Sequence, residues 1–115
     1  MNWLALLLAI AVVESGCNDA AIGRKGERGR HQLTRAVWHR YTKKPFRYAH
    51  SRTWSDFIAK QHLQNLQKKL QTTNICVLAN AYHLGESLAY KPCEYGKRVE
   101  NLYLEYDKLL SATRK

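Results

Sequence analysis

The longest apolar run opens the chain. Residues 3–13 read Trp-Leu-Ala-Leu-Leu-Leu-Ala-Ile-Ala-Val-Val, and the run ends on a single acid, Glu14, followed by Ser15 and Gly16. Leu and Ala dominate, and neither Gly nor Pro occurs before residue 16, which favours helix. A helix that is apolar on every side is one covered on every side. Residues 3–18 are therefore predicted to hold the central helix of the fold. The competing reading is a secretion signal. Its apolar core is present, and Gly16 sits before Cys17, but no Lys or Arg precedes the run and the first basic residue is Arg24. A glutamate three positions before the cysteine also suits a lipoprotein cleavage site poorly. As a membrane span the run is short, at about 20 Å of helix against a hydrocarbon core of about 30 Å.

Beyond the run, the periodicity stays helical. Residues 16–29 form a loop in which Gly23, Gly26 and Gly29 recur at every third position, a pattern for a tight turn or short β-hairpin. Residues 31–41 carry an apolar stripe of Leu33, Val37 and Trp38, with Tyr41 near the end. Lys43-Lys44-Pro45 stops that helix, because proline cannot continue it. A basic connection over 43–52 leads to a third helix predicted from about Thr53, where Thr53 and Asp56 make a capping-box-like pair. Its stripe is Ala59, Leu63, Leu66 and Leu70, with Phe57 and Ile58 beside it. Thr72-Thr73-Asn74 breaks it and supplies a cap for a short apolar helix over 75–84, closed by Gly85. After a loop over 86–94, a last helix over about 95–110 places Val99, Leu102, Tyr103, Tyr106 and Leu110 on one face. The expected fold is mainly α, one domain over residues 1–115, with about five helices and at most one short β-hairpin near 20–30.

Composition narrows the partners. Apolar residues make up 45% of the 115 and charged residues 24%, the balance of a globular chain. Nineteen Lys and Arg against nine Asp and Glu give a net charge of +10, which favours an anionic partner: nucleic acid, an acidic membrane surface or an acidic wall polymer. The basic residues are scattered and no nucleic-acid-binding motif accompanies them, so nucleic acid is not expected as an obligatory partner. Cys17, Cys76 and Cys93 form no Cys-x-x-Cys pair and no zinc spacing, and an odd count excludes a fully paired framework within one chain. No metal ligand set and no cofactor are expected. The redox compartment stays open.

Three short motifs carry the chemistry. They are Glu14-Ser15-Gly16 at the end of the apolar helix, Gly26-x-x-Gly29-x-x-Gln32 in the turn, and Ala79-Asn80-Ala81-Tyr82-His83-Leu84-Gly85, followed ten residues on by the stretch from Tyr95 to Tyr103. In this order and spacing the chain resembles the lysozyme-like family of soluble lytic transglycosylases and goose-type lysozymes. That family shows a Glu-Ser-Gly helix end, a Gly-x-x-Gly-x-x-Gln turn, an Ala-Tyr-Asn-x-Gly helix and a Tyr-x-x-x-Val-x-x-x-Tyr final helix. The resemblance runs over residues 4–103, with 40–73 matching only in helical pattern. It implies that Glu14 is the catalytic general acid, that Ser15 is the serine beside it, and that Gln32, Tyr82 and Tyr95 line the sugar-binding cleft. It implies cleavage of the β-1,4 bond between N-acetylmuramic acid and N-acetylglucosamine.

The residues agree with that chemistry on separate grounds. An acid that protonates a glycosidic oxygen near neutral pH needs a raised pKa, and the apolar run ahead of Glu14 supplies desolvation. Most glycosidases also need a second carboxylate. Asp19, Glu27 and Asp56 are the candidates, and none sits in a motif. The single-acid route implied by the resemblance avoids the need: the substrate's N-acetyl group stabilises the cationic transition state and the sugar 6-hydroxyl attacks, leaving an anhydro product. Two departures stand out. His83 replaces the usual asparagine after the tyrosine, as a candidate cleft residue or a surface histidine. Arg30-His31 replaces an apolar pair before Gln32, so a more polar or exposed turn is expected.

The resulting expectation is a peptidoglycan lytic transglycosylase with Glu14 as general acid/base and Ser15, Gln32, Tyr82, His83 and Tyr95 as substrate-binding residues. Its partner would be the peptidoglycan glycan strand, and no metal or cofactor would take part. The alternatives are a hydrolytic lysozyme on the same fold, and a module that binds glycan or nucleic acid without cutting. A monomer in the cell envelope, periplasm or extracellular space is expected, without a transmembrane segment. No separate signal peptide is visible, which fits a trimmed or phage-derived chain.

Overall fold

In the computed structural model, residues 1–112 are described. The order is α1 (Trp3–Ser15), α2 (Arg35–Tyr41), a 3-10 turn (Phe46–His50), α3 (Arg52–Leu70), α4 (Ile75–Leu84), a second 3-10 turn (Glu86–Leu88) and α5 (Glu94–Ala112). No strand forms among the described residues; residues 20–33 hold only isolated antiparallel bridges, Ile22 with Arg28 and Arg28 with Leu33. No described helix is long and apolar enough to cross a membrane.

The apolar run is α1, and it is central. Ala5, Leu6, Leu7, Ala9, Ile10 and Ala11 are all buried. Asn2 starts the helix, its side chain accepting from the Ala5 amide at 3.1 Å. Gly16 ends it at φ +65°, where its own N–H and that of Cys17 reach back to the carbonyls of Val12 and Ala11. α5 lies against α1, and the two are tied at the start of α1. There the Asn2 amide donates to the Tyr103 hydroxyl at 3.0 Å and the Asn2 side chain donates to Asp107 at 3.0 Å. The main core gathers Leu6, Ile10, Leu33, Trp38, Ile58, Leu63 and Val99. A smaller cluster of Leu66, Leu78, Ala81 and Ala89 sits between α3, α4 and the loop after α4.

Several local expectations shift. α2 begins four residues later than the pattern over 31–41 suggests, because Gln32 takes a left-handed φ of +50° and Thr34 makes the cap, accepting from the Val37 amide at 3.1 Å. Leu33 is buried all the same, just ahead of the helix. α3 is capped by Ser51 through the Trp54 amide, not by Thr53, because Asp56 is drawn away to His31. Phe57 is half exposed and packs edge-on against Trp54. Asn74 caps α4 and Gly85 closes it, as the pattern requires.

Candidate active site

Glu14 occupies the last turn of α1, where the apolar helix meets the glycine loop. Its Oε2 accepts a hydrogen bond from the Tyr95 hydroxyl at 2.8 Å. Burial pushes the Glu14 carboxyl above the ordinary carboxylate range, the Tyr95 hydrogen bond draws it part of the way back, and the Glu27 charge pushes it up again. Tyr95 belongs to α5, whose antiparallel packing on α1 brings this hydroxyl to the helix end. Burial first, and then the Glu14 charge, hold the Tyr95 phenol protonated, so it remains a donor.

A cleft of about 580 Å³ opens beside Glu14, lined by Gly23, Arg24, Lys25, Glu27, Gln32, Thr34, Tyr82 and His83. The glycine loop forms one wall. Gly29 sits at φ +81°, and a β-carbon there would overlap the Ala49 carbonyl, so a side chain meets both a strained backbone and a filled space. Gln32, after it, is held by its own side chain, which donates to the Gly29 carbonyl at 3.0 Å and to the Ala21 carbonyl at 3.4 Å. The predicted cleft glutamine is therefore a turn residue and not part of a helix. Tyr82 forms the opposite wall from α4, and its hydroxyl donates to the His31 carbonyl at 2.7 Å. Burial keeps that phenol protonated as well. His83 is exposed and stacks flat on Tyr95, with ring centroids 4.2 Å apart and planes 10° off parallel. The structure thus brings Glu14, Gln32, Tyr82 and His83 to one cleft, with Tyr95 behind Glu14 and His83.

Ser15 is placed differently. It does not line the cleft. Its hydroxyl donates to the Arg30 carbonyl at 2.8 Å and accepts from the Asn18 amide at 3.0 Å, which straps the helix end to the turn. The Arg30-His31 pair is polar but not exposed, contrary to one half of the expectation. Arg30 is 7% exposed and His31 0%. Arg30 binds Asp19 at 2.8 Å. Burial works against its charge, and the Asp19 bond and charge outweigh that. His31 Nε2 meets Asp56 Oδ1 at 2.6 Å. Two of the three candidate second carboxylates, Asp19 and Asp56, are therefore occupied outside the cleft. Glu27 alone of the three lines it, with Oε1 accepting from the Lys25 amide at 2.7 Å.

The sequence reading missed Arg24, Lys25 and Thr34 as cleft residues, because they lie in no motif. It also missed His62, buried beneath Tyr82 and bound at Nδ1 by the Tyr41 hydroxyl at 2.9 Å. Burial, then Arg40 and Lys69, lower its pKa to about 4, so it stays neutral. Among the described residues no cluster of three or more His, Cys, Asp or Glu side chains could hold a metal ion.

Taken together, the site offers one acid of raised pKa at a cleft wall, a fixed phenol donor behind it, and a groove of hydrogen-bonding side chains. Against models of protein families, residues 1–102 match the one described as Transglycosylase SLT domain. A comparison with curated proteins finds no match.

Proposed function

The chain belongs to the transglycosylase SLT domain family, a lysozyme-like glycosidase family with lytic transglycosylase-type activity on peptidoglycan, and from that premise we propose that Glu14 is its general acid and base. The bond cut is the β-1,4 link from N-acetylmuramic acid to N-acetylglucosamine. The single observation that carries this is the Glu14 carboxyl at the cleft wall, its pKa raised by burial and its Oε2 bonded by the Tyr95 hydroxyl. Glu14 gives its proton to the glycosidic oxygen as the bond breaks, and the N-acetyl carbonyl of the muramyl sugar supports the cationic carbon. Glu14, now ionised, takes the proton of the same sugar's 6-hydroxyl, whose oxygen closes onto that carbon. The products are an anhydromuramyl end and a free N-acetylglucosamine end, and Glu14 recovers its proton.

Gln32, Tyr82 and His83 are proposed to contact the sugars, since they line the cleft. Tyr95 and Ser15 are proposed as positioning residues, one aiming the carboxyl and the other strapping the helix end to the turn. A second reading, hydrolysis by an activated water, is favoured by one observation: Glu27 shares the cleft and its charge reaches Glu14. Action on peptidoglycan places the protein in the cell envelope, and the periplasm or the cell exterior is the compartment we propose.

The test is loss of turbidity of purified peptidoglycan with wild type and Glu14→Gln, with products identified by mass spectrometry. A general acid contributes roughly 10²–10⁴-fold, so the variant should fall by at least that factor. Equal clearing by both proteins would defeat the assignment. Anhydro ends support the transglycosylase reading, and reducing muramyl ends the hydrolytic one.

A further inference from the structure

The cationic side chains around the glycine loop have distinct destinations. Arg28 and Arg35 lie over the Phe46 ring, each about 5 Å from its centroid (5.1 and 5.0 Å). Arg30 is buried against Asp19. Arg24 and Lys25 have no such partner: neither side chain makes an ion pair, hydrogen bond or ring contact among the described residues, and both are exposed on the cleft lining. Their backbone is nevertheless fixed. The Gly26 amide donates to the Gly23 carbonyl at 3.1 Å, and Glu27 Oε1 takes the Lys25 amide at 2.7 Å. Glu27 thus meets Lys25 through its main chain, and no ion pair forms between the two side chains. An uncharged sugar rim needs no cations, and hydrogen-bonding groups such as Gln32 and Thr34 would serve it.

Resting on the reading that this cleft holds peptidoglycan, we propose that Arg24 and Lys25 form an anion subsite for the carboxylates of the lactyl-peptide stems. The tight turn sets the two cations side by side on the cleft wall, so a strand threaded past Glu14 presents its stems to them. The subsite would select wall strands that carry free carboxylates over neutral glycans of the same backbone. Contacts of this kind at an exposed rim are individually weak, and two together amount to roughly a tenfold preference.

The experiment measures cosedimentation of the Glu14→Gln protein with purified peptidoglycan, and with the same polymer after its carboxylates are capped as methylamides. The Glu14→Gln parent should bind the native polymer roughly tenfold tighter than the capped one. Adding Arg24→Gln and Lys25→Gln should make the two polymers equivalent. Adding Lys68→Gln and Lys108→Gln instead, which removes the same charge from exposed positions on α3 and α5, should leave the preference intact. Circular dichroism confirms that each protein is folded. The proposal is overturned if the Arg24/Lys25 variant keeps its preference, if the Lys68/Lys108 control loses as much, or if the parent does not distinguish the polymers. Failure of the catalytic reading is separate: it appears as clearing of turbidity by Glu14→Gln on prolonged incubation, whereas the binding ratio is read on ice before any polymer dissolves.

Discussion

Replacing Tyr95 by Phe removes one oxygen and little else. The ring that stacks on His83 stays, and the donor 2.8 Å from Glu14 goes. A hydrogen bond to a charged acceptor contributes about 1.5–3 kcal/mol net, and one to a neutral acceptor about 0.5–1.5 kcal/mol. The Tyr95 hydroxyl therefore favours the ionised form of Glu14 over the protonated form by about 1–1.5 kcal/mol, the difference between those ranges. Deleting it leaves burial and Glu27 unopposed, and the carboxyl holds its proton to higher pH. The sign for activity follows. With Glu14 as the proposed general acid, cleavage needs it protonated, so kcat/KM falls as pH rises through its pKa, and in Tyr95→Phe that fall moves to higher pH. Its maximum should drop too, since the carboxyl loses its aim.

Stability carries a matching signature. Above the Glu14 pKa the variant loses the full charged bond, about 1.5–3 kcal/mol; below it, only about 0.5–1.5 kcal/mol. Urea unfolding at one pH on each side, with release of soluble fragments from peptidoglycan across the range, measures both effects. An alkaline limb that stays put or moves down, with a stability loss equal at both pH values, would refute the reasoning.

Glu27→Gln should move the alkaline limb the other way, because it removes the negative neighbour that raises Glu14 while its amide oxygen can still accept from Lys25. Collapse of the rate in that variant, with reducing muramyl ends among the wild-type products, would instead mark Glu27 as the water-activating base of a hydrolase. Gly29→Ala should cost about 2–5 kcal/mol: about 1–2 for a side chain at φ +81° and about 1–3 for overlap with the Ala49 carbonyl. Gly16→Ala, at φ +65° with open space around it, should cost only the first part, so thermal melts that rank the two equally would show that the Ala49 contact contributes nothing.

α1, α3, α4 and α5 were legible in their apolar pattern, and at α1 and α4 the end signals agree with it. α1 is apolar throughout and ends on a glycine, and α4 lies between Asn74 and Gly85. The late start of α2 comes from the left-handed Gln32, whereas the other misreadings come from side chains whose partners are distant in sequence. Thr53-x-x-Asp56 looks like a cap, but Asp56 is claimed by a histidine 25 residues upstream, and Ser51 caps instead. Ser55 and His62 are polar and fully or nearly buried, which no local periodicity signals. In the site, the positions of Glu14, Gln32, Tyr82 and Tyr95 could be read from motifs, but what their atoms touch could not. Ser15 shows the difference: its place beside the acid was legible, while its use as a strap to Arg30 depends on the path of a loop. Arg24 and Lys25 lie outside every motif, and their partnerless state becomes visible only once Arg28, Arg30 and Arg35 are seen to be engaged.

Why Tyr95 meets Glu14 at all is a question of register between two helices. α1 and α5 are bound near both ends of α1, by Asn2 to Tyr103 and Asp107 at its start and by Glu14 to Tyr95 at its finish. The first tie runs from the Asn2 amides to the Tyr103 hydroxyl and the Asp107 carboxyl, at the opposite end of α1 from the site. With it in place α5 cannot slide, since a slip of one residue would carry Tyr95 about 1.5 Å along the axis and about 100° around it, out of reach of the carboxyl. The acid also sits at the carbonyl end of a buried helix, where the partial negative charge of the backbone disfavours ionisation. Burial, helix end and Glu27 therefore all push the proton onto Glu14, and only Tyr95 opposes them. The apolar run that could pass for a leader is what makes this arrangement work: its covered faces fix the register of α5, and its last turn holds the acid where water is scarce.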